Sequence, residues 1–414
     1  MDARAAARER LDSLRSRIID LSHAIHANPE PAFAEAKAAA WISELLSDGG
    51  FDVKTGICDL PTAFLAKSGS GPLHICFCAE YDALPEIGHA CGHNIIAAAA
   101  VGAGIAAAAV ADEVGLTVSV IGTPAEEIGD AGGKILLLER GAFADMHAAM
   151  MVHPAPFDVL TPKVIAASMF EVRYTGKEAH ASSFPELGVN AADALTIAQT
   201  SIGLLRQHIL PTDRIHGIVV HGGDAPNIVP AHTTARFIVR GDTLAALEVL
   251  RPRVYRCFEA GALATGCKLE IIGGEKPYSE MIHDPDIAAL YKRNAELLGR
   301  SYPNVGAEKQ KSAASTDMGN ISRALPSIQP MIGIQSFPAV NHQREFAAQC
   351  VTIEADQAVY DGALAMAWTA IDLGTDDRLR NRLLGDRSQE AEARIQNSKY
   401  RSAISAFVQF GLFY

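Results

Sequence analysis

LHICFCAEYDALPEIGHACGHN, residues 73–94, opens on a run from Leu73 to Cys78 that only His74 interrupts, and it leads into the alanine-rich IIAAAAVGAGIAAAAV, residues 95–110. An apolar run of this kind predicts a strand buried on both faces. The alanines predict a buried helix over Ala97–Ala109, and the apolar stretch is shorter than the roughly 20 residues a membrane span needs. Strand, polar loop and buried helix in succession predict an open α/β sheet, in which ligands bind outside the carboxyl ends of the strands.

The same pattern recurs on either side. Leu116 to Ile121 predicts a second strand, followed by GTPAEEIGDAGGK, residues 122–134, and a helix over Lys134–Glu139. Ala148 to Val152 predicts a third strand that ends at His153 and Pro154. Upstream, Leu11, Leu14, Ile18, Leu21 and Ile25 recur at helical spacing and predict an amphipathic helix over Ala5–Ala27, stopped by Pro29 and Pro31. A second helix over Ala34–Leu46 and short strands at 51–53 and 63–66 complete a three-layer α/β arrangement.

The texture changes near Val164. Ala166–Tyr174 reads as an edge strand, followed by a helix over Val189–Leu205, strands at Ile215–His221 and Thr233–Val239, a helix over Thr243–Ala262 and a strand at Lys268–Ile272. This predicts an inserted α+β domain over 165–274. Helices at Ile287–Leu298 and Asp356–Ile371 resume the first pattern, so residues 1–164 and 275–380 form one discontinuous domain. A tail, 381–414, is polar and then ends in AISAFVQFGLFY.

Composition bounds the function. With 414 residues, 49% of them apolar and 20% charged, the chain is a globular protein long enough for two domains. A formal charge of −12 argues against nucleic-acid partners. No membrane span and no secretory signal is read in the sequence, so a cytoplasmic location is expected. Seven scattered cysteines give no disulfide framework.

The predicted strand ends carry the chemistry. Cys91 and His93, with Gly92 between them, are ligand types for zinc and similar ions, although an isolated Cys-x-His is more often a buried thiol beside a satisfied imidazole. Glu126 and Glu127 stand between an apolar strand and a glycine-rich turn, where two adjacent carboxylates need a cation or a proton. One can ligate a metal while the other faces a water, a division suited to metal-assisted hydrolysis. His153 alone reads as structural; three strands ending in ligand-type residues point to a metal site. A nicotinamide-dependent zinc oxidoreductase is disfavoured, because no G-x-G-x-x-G follows a strand with the required acidic residue downstream.

These motifs resemble the aminoacylase/carboxypeptidase type of two-metal peptidases, metallopeptidase family 20, in its amidohydrolase branch, over residues 15–372. The resemblance implies a zinc-peptidase-like catalytic domain with an inserted ferredoxin-like dimerisation or lid domain. It implies two divalent ions per chain, zinc by default with manganese or cobalt as alternatives. Cys91 would bridge them, and His93, Glu127, His153 and His342, the last in AVNHQREFA at 339–347, would be the other ligands. Glu126 matches the general base and Asp82 the acidic residue that orients the metal shell. More distant relatives have a histidine ligand where this chain has Glu80. His180, in TGKEAHASSFPELGVNAADAL at 175–195, matches a residue that stabilises the oxyanion, often from a partner subunit. Asn227 matches a substrate contact. Ser315, Thr316 and Asp317, in SAASTDMGNIS at 312–322, match a loop that supports the metal shell and faces the substrate. Arg236, Arg240 and Arg344 remain candidates for the substrate carboxylate. The implied activity is hydrolysis of an N-acyl amino acid or dipeptide by a homodimer, with spelling closest to the aminobenzoyl-glutamate and β-alanyl-lysine groups. A homologue that binds such ligands without turning them over is the alternative.

Overall fold

The computed structural model describes residues 2–302 and 314–385. Helix α1 (Ala3–Ala27) starts where the Asp2 side chain accepts from Arg4 N at 3.2 Å and buries Leu11, Ile18, Leu21 and Ile25. After α2 (Ala36–Asp48), the strands β1 (Asp52–Thr55), β2 (Phe64–Ser68) and β3 (Leu73–Ala79) lead to α3 (His93–Ala108). Then follow β4 (Leu116–Gly122), α4 (Gly133–Glu139), β5 (Ala148–Met150) and β6 (His153–Ala155).

The second unit runs β7 (Ala166–Thr175), α5 (Ala191–Leu205), β8 (Arg214–His221), β9 (His232–Gly241), α6 (Leu244–Thr265) and β10 (Lys268–Gly273). The chain returns through α7 (Pro285–Glu296), α8 (Met318–Ser322), β11 (Ser327–Ile328), β12 (Met331–Gly333), α9 (Arg344–Gln349) and α10 (Ile353–Thr375).

Six strands form the larger sheet in the order β1-β2-β4-β3-β5-β11. The strands β4, β3, β5 and β11 are parallel neighbours, with β11 at one edge, and β1 and β2 close the other edge antiparallel. Alternation along β3 divides the core: Ile75 and Phe77 face the helices α1, α2, α3 and α10, whereas Cys76 and Cys78 face Leu137, Met318 and Ile321 of α4 and α8. Helix α3 is buried on all sides, and small residues let its neighbours approach closely. A Cβ on Gly102 would lie 2.9 Å from Ala363 Cβ of α10. The layers predicted from the sequence are the layers observed.

The second sheet has the order β10-β7-β9-β8, all antiparallel, with α5 and α6 over one face and its own apolar core. The βαββαβ succession with this strand order is ferredoxin-like. Strand β7 is not an edge strand, as its mixed pattern suggested. It lies between β10 and β9, and its alternation reflects one face packed on α5 and α6 and one left open. The reading of a single strand ending at His153 is also corrected. Strand β5 stops at Met150, and His153 opens β6, which pairs in parallel with β12. Residues 377–385, which run into the start of the C-terminal tail, are helical, and Leu379 and Leu383 join the main core. Residues 386–414 lie outside the described residues.

Candidate metal centre

Gly92 has φ 81°, a left-handed conformation natural to glycine, and a Cβ there would stand 2.5 Å from Pro154 Cγ. This tight turn brings Cys91 and His93 to one point. The Nδ1 of His93 lies 2.9 Å from Asp82 Oδ1, which leaves Nε2 as the free ring nitrogen. His153 is oriented alike: its Nδ1 is 2.9 Å from Pro154 O, and its Nε2 is 3.4 Å from Cys91 Sγ. The second oxygen of Asp82 accepts from Glu127 N at 3.0 Å, so one carboxylate orients both a ring and a turn.

That turn is held from three sides. Ala125 has φ 59°, and its N–H donates to Glu35 Oε1 at 2.9 Å. Tyr278 donates its hydroxyl to Glu126 O at 2.6 Å. Glu35 and Tyr278 carry no signal in the sequence; they act on Glu126 through backbone contacts that only the folded chain reveals.

Glu127 Oε1 stands 3.7 Å from His93 Nε2 and 3.6 Å from His342 Nε2. These separations are too long for hydrogen bonds. They match the edge of a tetrahedron with metal–ligand bonds of about 2.0–2.3 Å. His93 Nε2 and Glu127 Oε1 are buried without a hydrogen-bond partner. The ligand atoms of Cys91, His93 and His153 lie within 4.8 Å of one another, as do those of Cys91, Glu127 and His342, so Cys91 belongs to both triads. The donor set fits a pair of divalent ions sharing a thiolate.

Electrostatics point the same way. Glu80, Asp82, Glu126 and Asp317 are buried, and Glu127 nearly so, while Lys134 is the ammonium buried among them. Its Nζ is 2.6 Å from both Glu80 Oε1 and Asp317 Oδ1. The remaining negative charge calls for cations or protons. Burial, reinforced by Glu80, Glu127 and Asp317, pushes the Glu126 carboxyl well above the usual range. Burial and then Glu127 raise the Cys91 thiol, so a thiolate there depends on a bound cation. Burial holds His153 down to about 4, keeping its imidazole neutral and ready to ligate. Lys134 was not singled out in the sequence, because a lysine after Gly-Gly reads as the exposed start of a helix.

Glu126, Glu127, Cys91, His153 and His342 line a cavity of about 580 Å³ that Ser315, Thr316 and Arg240 also line. The Ser315 hydroxyl is engaged, accepting from Arg240 Nη1 at 2.7 Å and donating to Ile165 O at 2.7 Å. The Thr316 hydroxyl accepts from Met318 N at 3.2 Å. Among the described residues Arg240 has no carboxylate partner, and burial lowers its pKa. Arg236 instead pairs with Glu171 at 2.9 Å, and Arg344 is exposed at the start of α9. His180 and Asn227 do not line this cavity. They sit together on the smaller unit, where Ala181 N donates to Asn227 O at 3.0 Å.

Glu35 also gives the fold a pH dependence. Burial raises its carboxyl from the usual 4.5 to about 6. The folded chain therefore holds a proton that the unfolded chain has released, and stability falls as pH rises from about 4.5 to 6, by about 2 kcal/mol in all. Glu35→Gln keeps an oxygen for Ala125 N–H and is expected to flatten this slope relative to the wild type. Denaturation midpoints across that range measure the difference, and equal slopes would show that Glu35 does not carry it.

Comparison with known proteins accords with this geometry. A family described as a peptidase dimerisation domain matches residues 166–264. The Xaa-Arg dipeptidase of Mus musculus is 37% identical over 382 residues, covering 89% of this chain and 88% of that protein. The chain belongs to the M20 peptidase family. It is accordingly a metallopeptidase or amidohydrolase. One of the p-aminobenzoyl-glutamate hydrolase subunits of Escherichia coli is 31% identical over 281 residues, covering 63% of this chain and 58% of that one. The crystal structure of a Bacillus subtilis dinuclear metal-binding peptidase of the M20 family shares the fold, with TM-score 0.59 and 20% identity over 86% of this chain and 98% of that one. Among the described residues no helix is long and apolar enough to cross a membrane.

Proposed function

We propose that the chain hydrolyses the amide bond of N-acyl amino acids or dipeptides that carry a free carboxylate, acting in the cytoplasm as a homodimer. Cys91, His93, Glu127, His153 and His342 would hold two divalent ions, with zinc favoured by the thiolate and imidazoles and manganese or cobalt also acceptable to the set. The observation that carries the reading is the presence, in one cavity, of Cys91, Glu127, His153 and His342 from this cluster and an Arg240 guanidinium without a carboxylate partner. A guanidinium with that much burial is suited to the carboxylate of the leaving amino acid.

The ions would supply Lewis acidity at the amide carbonyl and a lowered pKa for water. Glu126 takes the proton of the attacking water and passes it to the amide nitrogen as the C–N bond breaks, so that an acyl carboxylate and a free amine leave. Asp82 keeps His93 and the Glu127 turn in register. Lys134 offsets Glu80 and Asp317 behind Glu126. The acyl group would be aminobenzoyl-like or β-alanyl-like; similarity to the aminobenzoyl-glutamate hydrolase supports the first, and the name of the Xaa-Arg dipeptidase leaves the acyl side open.

We take residues 1–164 with 275–380 as the catalytic unit and 165–274 as the dimerising one. Edge strand β8 exposes Ile218, Val219 and Val220 at 65%, 48% and 49%, an apolar edge that a second copy would cover. In such a dimer, His180 would reach the other copy's cavity, with Asn227 beside it, and donate to the developing oxyanion.

The test is amine release from acyl-amino acids and dipeptides by the metal-loaded protein. Silence across both classes with two metals bound would leave a binding protein instead. Trans delivery predicts complementation. Mixing inactive His180→Ala and Glu126→Gln dimers under conditions of subunit exchange is expected to restore about a quarter of wild-type activity, because half the dimers become mixed and each holds one intact site of two. No recovery in mixed dimers would place His180 in its own chain's site or outside the reaction.

A further inference from the structure

The cavity has two chemically distinct ends. Residues 156–164 run along it, contributing Phe157, Val159, Pro162 and Val164. Val159 pairs with Met331 of β12, and Val164 pairs with Ala314 beside Ser315 and Arg240. Five residue steps separate these pairings, a reach of up to about 17 Å. Near the start of this run, the rings of Phe157 and Phe337 lie 5.6 Å apart with planes tilted by 35°. Both are more than half exposed, at 60% and 65%. Val340 and Met331 flank them in the same cavity.

Two large rings side by side bury little against each other at that exposure, so mutual packing does not account for them. An exposed apolar patch beside a reaction centre marks a contact surface. The carboxylates lining the described cavity are Glu126 and Glu127, both already committed to the reaction centre. In the adjoining cavity that shares Phe157, Asp158 and Asp361 are paired with Arg300, so among the described residues the exposed Glu354 is the carboxylate left there for a substrate ammonium. A cation over the Phe faces is the competing occupant, worth about 0.5–1 kcal/mol at an exposed site.

We infer that the Phe157–Phe337 end of the cavity receives the acyl half of the substrate and selects an aromatic acyl group over a small or cationic one. The inference rests on the proposed amide hydrolysis, with Arg240 engaging the carboxylate at the other end. An aromatic ring fills the space against Phe157 and Phe337, gaining apolar burial and tilted ring contacts. Phe157 and Phe337 are then specificity residues that touch the acyl group, remote from the proton transfers at Glu126.

The test uses the full-length, zinc-loaded protein with N-benzoyl, N-acetyl and β-alanyl derivatives of one amino acid at a time, taken from glutamate, leucine and arginine. With any amino acid that is turned over, kcat/KM for the benzoyl substrate is expected to exceed that for the acetyl and β-alanyl substrates by about 10–100-fold. In the Phe157→Ala, Phe337→Ala double variant the benzoyl-to-acetyl ratio is expected to fall to within about threefold of unity. The exposure of both rings makes folding insensitive to these changes. Acetyl or β-alanyl substrates turned over as well as benzoyl ones, or a ratio that survives the double variant, would overturn the inference while leaving amide hydrolysis standing. Turnover of none of the three acyl classes would overturn the reading of the site and this inference with it.

Discussion

Glu126→Gln is expected to lower kcat on the order of 10²–10⁴-fold, the usual contribution of a positioned general base, with KM and bound metal close to wild type. The amide has nearly the shape of the carboxylate and keeps the Tyr278 contact, which is made to the Glu126 backbone carbonyl. It cannot accept the proton of the attacking water. Metal is retained because Cys91, His93, Glu127, His153 and His342 are untouched. Steady-state kinetics beside metal analysis of the same preparation check both halves. Activity within about tenfold of wild type would remove Glu126 from the base role.

The second large effect is expected at Arg240. Truncating one partner of a desolvated charge pair costs about 2–5 kcal/mol, so Arg240→Met should lower kcat/KM for a carboxylate-bearing substrate on the order of 10²–10³-fold. The same substrate with its carboxylate converted to an amide should lose far less on this substitution, since it never engaged the guanidinium. That difference separates recognition from damage to the cavity, a distinction made necessary by the Arg240 bond to Ser315 at 2.7 Å. Equal losses for acid and amide would assign Arg240 a supporting role and return the carboxylate to another residue.

Much of this candidate site was legible in the chain because its proposed ligands are local to strand ends. The buried run before Cys91 and His93, and the strand before Glu126 and Glu127, declare themselves by hydrophobicity, and the fold delivers both loops to the carboxyl ends of two adjacent parallel strands. Strand β7 was misassigned to an edge because alternation reports one open face and says nothing about whether both backbone edges are paired. His153 came through by chemistry although its strand was misdrawn. The residues that escaped notice act over long sequence separations. Glu35 reaches Ala125 and Tyr278 reaches Glu126, and nothing in their neighbours encodes those contacts. Lys134 escaped because a buried lysine is rare and only its two carboxylate partners, Glu80 and Asp317, make the position tolerable. Arg240 could be chosen from three candidates once Arg236 was seen paired with Glu171 and Arg344 exposed.

The proposed chemistry depends on two ions sharing the thiolate of Cys91. Metal content of the purified protein after zinc loading and removal of free metal tests this directly, with Cys91→Ala measured in parallel. Two ions per chain are expected in the wild type, with a loss of tightly held metal from both positions in the variant, since Cys91 serves both triads. One ion per chain, or two ions held equally well without Cys91, would contradict the shared thiolate.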